Sequence, residues 1–275
     1  MTYKRIDSAD NKKIKRVAAL KKRKYREETG LFTAEGVRLA EAAANSDFAI
    51  EQAFLTAERA ADARVVALTE KLAARGGCEM FIVPRRLYEK MSNTASPQGM
   101  MLVMRQKKYA LPFEKEGKDA PFYVALENVA DPGNVGTTIR TADALGASGV
   151  LLLGSCADLY SDKTVRAAMG SLFNIPAVAD LSIKEAFDFF AKNKIKTYAA
   201  ALDEKAAPLF AADMTKPVAV IFGNEANGVT KEVLNQAEKI YIPMTGGAQS
   251  LNVASAATIV SYEVARQRYH GAKTA

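Results

Sequence analysis

FYVALENVADPGNVGTTIRTADALGASGVLLLG, residues 122–154, decides the fold. FYVALE (122–127) fits a buried strand and GVLLLG (149–154) fits a second. Between them NVGTTIRTADALG (134–146) reads as a helix closed by Gly146. Asp131-Pro132-Gly133 supplies turn chemistry ahead of it, and Asn134 is suited to cap its start. Strand, helix and strand at this spacing make a unit whose strands run parallel.

The alternation continues to the end of the chain. DKTVRAAMG (162–170), SIKEAFDFFAKN (182–193) and EVLNQAE (232–238) have helical patterns, while KTYAAAL (196–202), PVAVIFG (217–223) and KIYIPM (239–244) fit strands. NVASAATIVSYEVARQR (252–268) is a long final helix. Residues 121–275 therefore form an α/β domain, a mostly parallel sheet with helices on both faces. Upstream, residues 29–106 carry a shorter series. Helices are expected at 36–46, 57–77 and 85–93 and strands at 49–56, 79–84 and 99–106, a small α/β sandwich. Residues 107–120 are polar, contain Pro112 and read as a linker.

Charge is concentrated at the start. Residues 1–28 hold eleven Lys/Arg against four Asp/Glu, a surplus equal to the whole-chain net charge of +7; the other 247 residues balance at 27 against 27. Such one-sidedness favours a phosphate backbone as partner. Lys12, Lys13, Lys15, Arg16, Lys21, Lys22, Arg23, Lys24 and Arg26 are the expected contacts. Ile14, Val17, Ala18, Leu20 and Leu31 keep apolar spacing, so the segment reads as a short basic amphipathic helix. Bulky apolar anchors for a membrane surface are scarce in it. No apolar run approaches the roughly 20 residues of a membrane span, and the first residues lack a signal peptide's apolar stretch. Cys78 and Cys156 have no CxxC partner, so neither a metal site nor a disulfide is expected, and a cytoplasmic setting fits.

Three junctions in the back half carry more polar and glycine residues than connection requires. The first runs from Glu127 to Arg140, with Arg140 one turn past Gly136 on one helix face. The second, Gly223-Asn224-Glu225, places an acid at the carboxyl end of a strand, where open α/β sheets bind ligands. The third, Ile242 to Asn252, is a strand end, a glycine-rich loop and a Ser/Asn-rich helix start.

Together these resemble a known family. N-x-x-D-P-x-N-x-G-x-x-x-R-x-A-x-A-x-G is matched from Asn128 to Gly146, G-x-E by Gly223 to Glu225, and I-P-M…S-L-N-V…A from Ile242 to Ala257. These are similar to the three signature motifs of the SpoU/TrmH branch of the SPOUT methyltransferases. Ala254-Ser255 departs from the Ser-then-Val expected after Asn252-Val253. Phe32 to Gly36 and Ser92 to Thr94 look like the L30e-like substrate-binding domain of the ribosomal RNA members.

The resemblance implies a trefoil-knotted catalytic domain, a homodimer formed through its first and last helices, and S-adenosylmethionine as cofactor. Gly223, Asn224, Ile242, Met244 and Leu251 would hold that cofactor. The implied reaction is methylation of an RNA ribose 2′-oxygen, with 23S-type ribosomal RNA preferred over transfer RNA and no metal required. It places Arg140 at the hydroxyl; Asn134, Glu225, Ser250 and Asn252 would orient it. The single histidine, His270, lies outside every motif. A dinucleotide-dependent oxidoreductase lacks its GxGxxG turn here. A non-catalytic RNA-binding or assembly protein on the same fold would have no need of Arg140, Glu225, Ser250 and Asn252 together.

Loss of the basic segment is expected to weaken RNA binding and flatten its salt dependence. For every phosphate that is no longer engaged, the slope of log K against log salt falls by roughly 0.7–0.9. S-adenosylmethionine affinity should hold. Titrations at several salt concentrations check this, and unchanged slopes would count against the assignment.

Overall fold

The computed structural model describes residues 3–111 and 120–269, so His270 and most of the expected linker lie outside the described residues. Two compact units emerge: Met1–Lys107 with Tyr160–Phe173, and Lys108–Leu159 with Asn174–Ala275. In chain order the first contains β1 (Lys4–Arg5), α1 (Lys12–Ala19), α2 (Arg23–Thr29), β2 (Leu31–Glu35), α3 (Val37–Ala44), β3 (Ile50–Leu55), α4 (Ala57–Ala60), α5 (Ala63–Arg75), β4 (Glu79–Ile82), α6 (Arg85–Met91) and β5 (Met100–Arg105). Its sheet runs β1-β4-β3-β5-β2, with β3 and β2 antiparallel to β5 and the other pairs parallel.

Two expectations change here. The long helix over 57–77 breaks into α4 and α5, because Asp62 caps a new start by accepting from the Arg64 N–H. The basic segment is two helices, and Leu31 belongs to β2. Its apolar residues are core: Ile14, Val17 and Leu20 pack with Phe54, Phe81 and Tyr88, each at most 2% exposed. Burial of side chains this size stabilises by about 1.5–3 kcal/mol each. The segment therefore cannot be excised without opening the first unit, and its charges must be tested by side-chain substitution.

The second unit continues with β6 (Phe122–Glu127), α7 (Pro132–Ala144) and β7 (Gly149–Leu153). After α8 (Asp162–Ala167), which groups with the first unit, come β8 (Ala177–Leu181), α9 (Ile183–Lys192), β9 (Lys196–Ala200), β10 (Ala207–Pro208), β11 (Val218–Phe222), α10 (Lys231–Leu234), β12 (Glu238–Tyr241) and α11 (Val253–Arg268). Seven strands in the order β10-β12-β9-β11-β6-β7-β8 form one sheet with every pairing parallel. α9 packs Phe189 and Phe190 over Tyr123, Leu151 and Ile221. α11 packs beside α7, and the Thr141 and Thr258 hydroxyls meet at 3.1 Å. The apolar stripe of α11 is used in this packing: Val253, Ala257, Val260 and Val264 are buried within the chain, while Ile259 and Tyr262 face outward. No helix of the described residues is long and apolar enough to cross a membrane.

Gly223 closes β11 against its own continuation. Asn224 and Gly228 exchange backbone hydrogen bonds of 3.0 and 2.8 Å, and a Cβ on Gly223 would lie 2.0 Å from the Gly228 carbonyl carbon. The nearest atoms there are all backbone, so nothing can swing aside. Gly223→Ala is expected to lose about 1–3 kcal/mol or more. Gly246→Ala, where a Cβ meets nothing within 4 Å, should be near neutral. Urea unfolding midpoints compare the two, and equal midpoints would contradict this packing.

Candidate active site

The site grows from the end of β6. The Glu127 carboxylate is buried and accepts from the Thr230 hydroxyl at 2.6 Å and the Thr230 N–H at 2.9 Å. A carboxylate this enclosed needs such donors, and here they come from the segment that follows β11. Asn128 turns the chain with φ 54°, a left-handed conformation that asparagine tolerates. Its Oδ1 accepts from the Ser155 N–H at 2.8 Å, and its carbonyl accepts from Asn224 Nδ2 at 2.9 Å. Three strand ends are thereby tied together by two consecutive residues.

The helix α7 starts earlier than its sequence suggests. Asp131, and not Asn134, is the N-cap: its side chain accepts from the Asn134 N–H at 3.0 Å, with Pro132 in the first turn. The Asn134 side chain is therefore released for another purpose. Its Nδ2 donates to Glu225 Oε1 at 2.8 Å, and its Oδ1 accepts from Asn252 Nδ2 at 3.0 Å. Asn252 in turn caps α11, its Oδ1 accepting from the N–H groups of Ala254 and Ser255 at 2.9 and 3.3 Å. The orientation of this relay is forced from one end. A helix N-terminus offers only donors, so Asn252 must present its oxygen there and its NH2 to Asn134. Asn134 then accepts with its oxygen, which leaves its own NH2 for the Glu225 carboxylate.

A cavity of about 430 Å3 opens at the carboxyl ends of β9, β11 and β12. All five residues expected to hold a cofactor, Gly223, Asn224, Ile242, Met244 and Leu251, line it, as do Glu225 and Ser250. The volume suits a nucleoside-sized ligand. Its wall also uses Ala200 at the end of β9, Leu202 just after it and Tyr241 at the end of β12, which the motifs do not reveal. Only the strand order, with β9 between β11 and β12, identifies them. The backbone groups of Ile242, Met244 and Leu251 have no hydrogen-bond partner among the described residues. Phe222, Ile240 and Val253 supply apolar surface nearby. Apolar walls, idle backbone donors and acceptors, and a strand end where only glycine fits are suited to S-adenosylmethionine, whose base, ribose and amino acid ends ask for those contacts.

Arg140 stands apart from this cavity. It is exposed on α7 and has no hydrogen-bond or ion-pair partner among the described residues. Ser250 is exposed on the cavity rim.

The cations of the basic segment differ in exposure, and Arg26 departs from the expected role. Arg26 is 6% exposed and donates to the carbonyls of Leu20 at 2.7 Å and Lys21 at 2.9 Å, so it secures the turn between α1 and α2 and cannot reach a phosphate. Lys13 is half-buried over the Phe81 ring and pairs with Glu79 at 2.6 Å; together with Lys4 it holds that carboxyl down at about 2. Lys15, Arg16, Arg23 and Lys24 are exposed with acidic neighbours, and Lys21 donates to the Ser92 carbonyl. Lys12 and Lys22 are exposed as well.

With this geometry in hand, similarity to known proteins is specific. Residues 121–262 match the SpoU rRNA Methylase family and residues 11–102 the MRM3-like substrate binding domain. The chain is 33% identical over 262 residues to the Bacillus subtilis protein named 23S rRNA (guanosine(2553)-2′-O)-methyltransferase RlmP, covering 95% of this chain and 99% of that one. An AdoMet-bound rRNA methyltransferase from Sinorhizobium meliloti superposes with a TM-score of 0.84 at 33% identity, covering 96% of this chain and 98% of that one. The SpoU methyltransferase AviRb of Streptomyces viridochromogenes, in complex with AdoMet, gives a TM-score of 0.84 at 29% identity over 95% and 100% of the two chains. By its sequence, its fold and the junctions that build its cavity, this chain belongs to the SpoU rRNA methylase family.

Proposed function

We propose that the protein transfers a methyl group from S-adenosylmethionine to a ribose 2′-oxygen of RNA, with 23S-type ribosomal RNA as its target. One observation carries the reading: all five expected cofactor residues line one cavity, and the Asn252–Asn134–Glu225 relay stands beside it. Two relatives named for 23S ribosomal RNA methylation support the choice of RNA, the second 39% identical over 153 residues, about half of each chain.

Bound S-adenosylmethionine supplies an electrophilic methyl group on a positively charged sulfur. The cavity walls hold that donor and exclude water around it. Asn134 and Asn252 hold Glu225 in one orientation at the rim. Arg140 receives the acceptor nucleotide: its guanidinium bridges the 2′-oxygen and the neighbouring phosphate and lowers the pKa of the hydroxyl. An arginine does not act as a base at its ordinary pKa, so this role is electrostatic, and the hydroxyl proton leaves to solvent as the oxygen–methyl bond forms and the sulfur–methyl bond breaks. Most of the rate then comes from holding donor and acceptor in line.

The same reading includes a trefoil knot in the segment after Gly223, a cytoplasmic setting and a homodimer. The exposed Ile259 and Tyr262 on the outer face of α11 suit a two-fold contact, and an exposed, unpartnered Arg140 suits completion of a second copy's site. The front unit supplies recognition of the RNA.

Arg140→Ala is expected to lose methyl transfer by at least about two orders of magnitude while keeping its fold and cofactor affinity, because Arg140 belongs to the acceptor side. Single-turnover transfer from labelled S-adenosylmethionine, read beside a direct binding titration, checks this. Turnover near that of the wild type would remove Arg140 from the mechanism. Light scattering at micromolar concentration tests the dimer, and a fully active monomer would exclude it.

A further inference from the structure

The first unit holds a concavity of about 420 Å3 beside the start of α3, with four arginines on its wall: Arg38, Arg59, Arg64 and Arg166. No residue of the basic segment contributes to it. Its framework is organised by Glu35, a buried carboxylate that accepts from the Tyr88 hydroxyl (3.2 Å), the Ser92 hydroxyl (2.7 Å), the Thr94 hydroxyl (3.3 Å) and the Gln98 N–H (3.1 Å). The loop 92–98 is thereby fixed, and the Gln98 carbonyl accepts from Arg59 Nε at 2.7 Å. Gly99, at φ 77°, makes room for that arginine, since a Cβ there would lie 2.8 Å from Arg59 Cγ. Glu35 and Ser92 to Thr94 are the motif residues the catalytic site leaves unused.

The four arginines are not equivalent. Arg64 is held by Glu41 and Arg166 by Asp162, and Arg59 leans on Asp62 at 3.5 Å. Arg38 is exposed and has neither a hydrogen bond nor an ion pair among the described residues. The nearby Glu41 carboxyl is lowered first by its hydrogen bond to Arg64, and Arg38 adds to this through space. Arg38 projects from the first turn of α3, which no side chain caps. An uncapped helix start, a guanidinium without a structural partner and three fixed arginines around one hollow are a seat for an oxyanion. Beside them Met169 holds a left-handed backbone, φ 50°, and is 43% exposed, an apolar surface of the kind a sugar or base covers.

We propose that this concavity seats an internucleotide phosphate of the RNA, with Arg38 as its principal ligand and Met169 against the adjoining sugar. The inference rests on the reading of the protein as an RNA methyltransferase and adds a recognition site built without any residue of the amino-terminal cluster. Because Arg38 has no structural partner, its removal should leave the melting temperature unchanged, so a binding defect is not a folding defect.

The test is filter binding of a labelled in vitro transcript of 23S ribosomal RNA to the full chain, at several salt concentrations. It compares wild type, Arg38→Ala, Arg38→Lys and Lys192→Ala, an exposed lysine of the second unit, as the control. Arg38→Ala is expected to bind roughly tenfold more weakly and to lower the salt slope by roughly 0.7–0.9. Arg38→Lys should fall between, keeping the charge and losing the fork. S-adenosylmethionine affinity should not move in any variant. Wild-type affinity and slope in Arg38→Ala, with the wild type binding normally, would overturn the phosphate seat and leave the methyltransferase reading standing. Failure of the wild type to bind the transcript would remove the RNA reading and the seat with it.

Discussion

The relay from the start of α11 through Asn252 and Asn134 to Glu225 is the constraint on which the rest of the site depends. It joins three segments distant in sequence: Asn134 lies 91 residues from Glu225 and 118 from Asn252. One end is a helix terminus that can only donate, and the other is a carboxylate that can only accept. The amides between them therefore have a single compatible orientation. Each hydrogen bond of this kind contributes only about 0.5–1.5 kcal/mol net. The importance of the relay lies in placement, since it holds an acid at the cavity rim through Asn134 and Asn252, neither of which lines the cavity.

That placement presupposes a tight floor. Glu127 and Asn128 tie β6 to the segments after β11 and β7, and Gly223 lets the chain double back on itself at a distance no side chain permits. These contacts hold the junctions together through the chain's own hydrogen bonds, and a site fixed in this way spares part of the ordering cost of binding. The polar residues of the junctions therefore divide into two groups. Glu127, Asn128, Asp131 and Asn224 build the floor, and Asn134, Glu225, Ser250 and Asn252 face the rim.

Much of this is legible in the sequence because glycine and asparagine at strand ends leave a local mark. All three junctions are visible that way, and the parallel sheet follows from the alternation of strands and helices. The cap of α7 is legible as a cap, but sequence alone points to Asn134. Asn134 and Asp131 are both good caps, and Pro132, which favours the first helical turn, is the clue that decides for Asp131. Arg26 cannot be placed from sequence, since a cation in a basic run gives no sign that backbone carbonyls await it. β1 and β10 are two residues each and carry no period, and Asp180, at φ 58°, interrupts the pattern of β8. Ala200 and Leu202 become site residues only through the order of strands in the sheet, a tertiary property with no local trace. The hollow at Arg38 is invisible for the same reason, being assembled from segments as far apart as Glu35 and Met169.

The central claim is that the three junctions form one site for ribose methylation. It is tested most directly by the chemical position of the transferred group. Methyl-labelled S-adenosylmethionine and unmodified 23S ribosomal RNA transcript are incubated with the protein, and the RNA is then hydrolysed in alkali. Alkaline cleavage requires a free 2′-hydroxyl, so a 2′-O-methyl group protects its own linkage. Label is expected in an alkali-stable dinucleotide; label in mononucleotides, as a methylated base would give, or no incorporation at all, would rule out ribose methylation at this site.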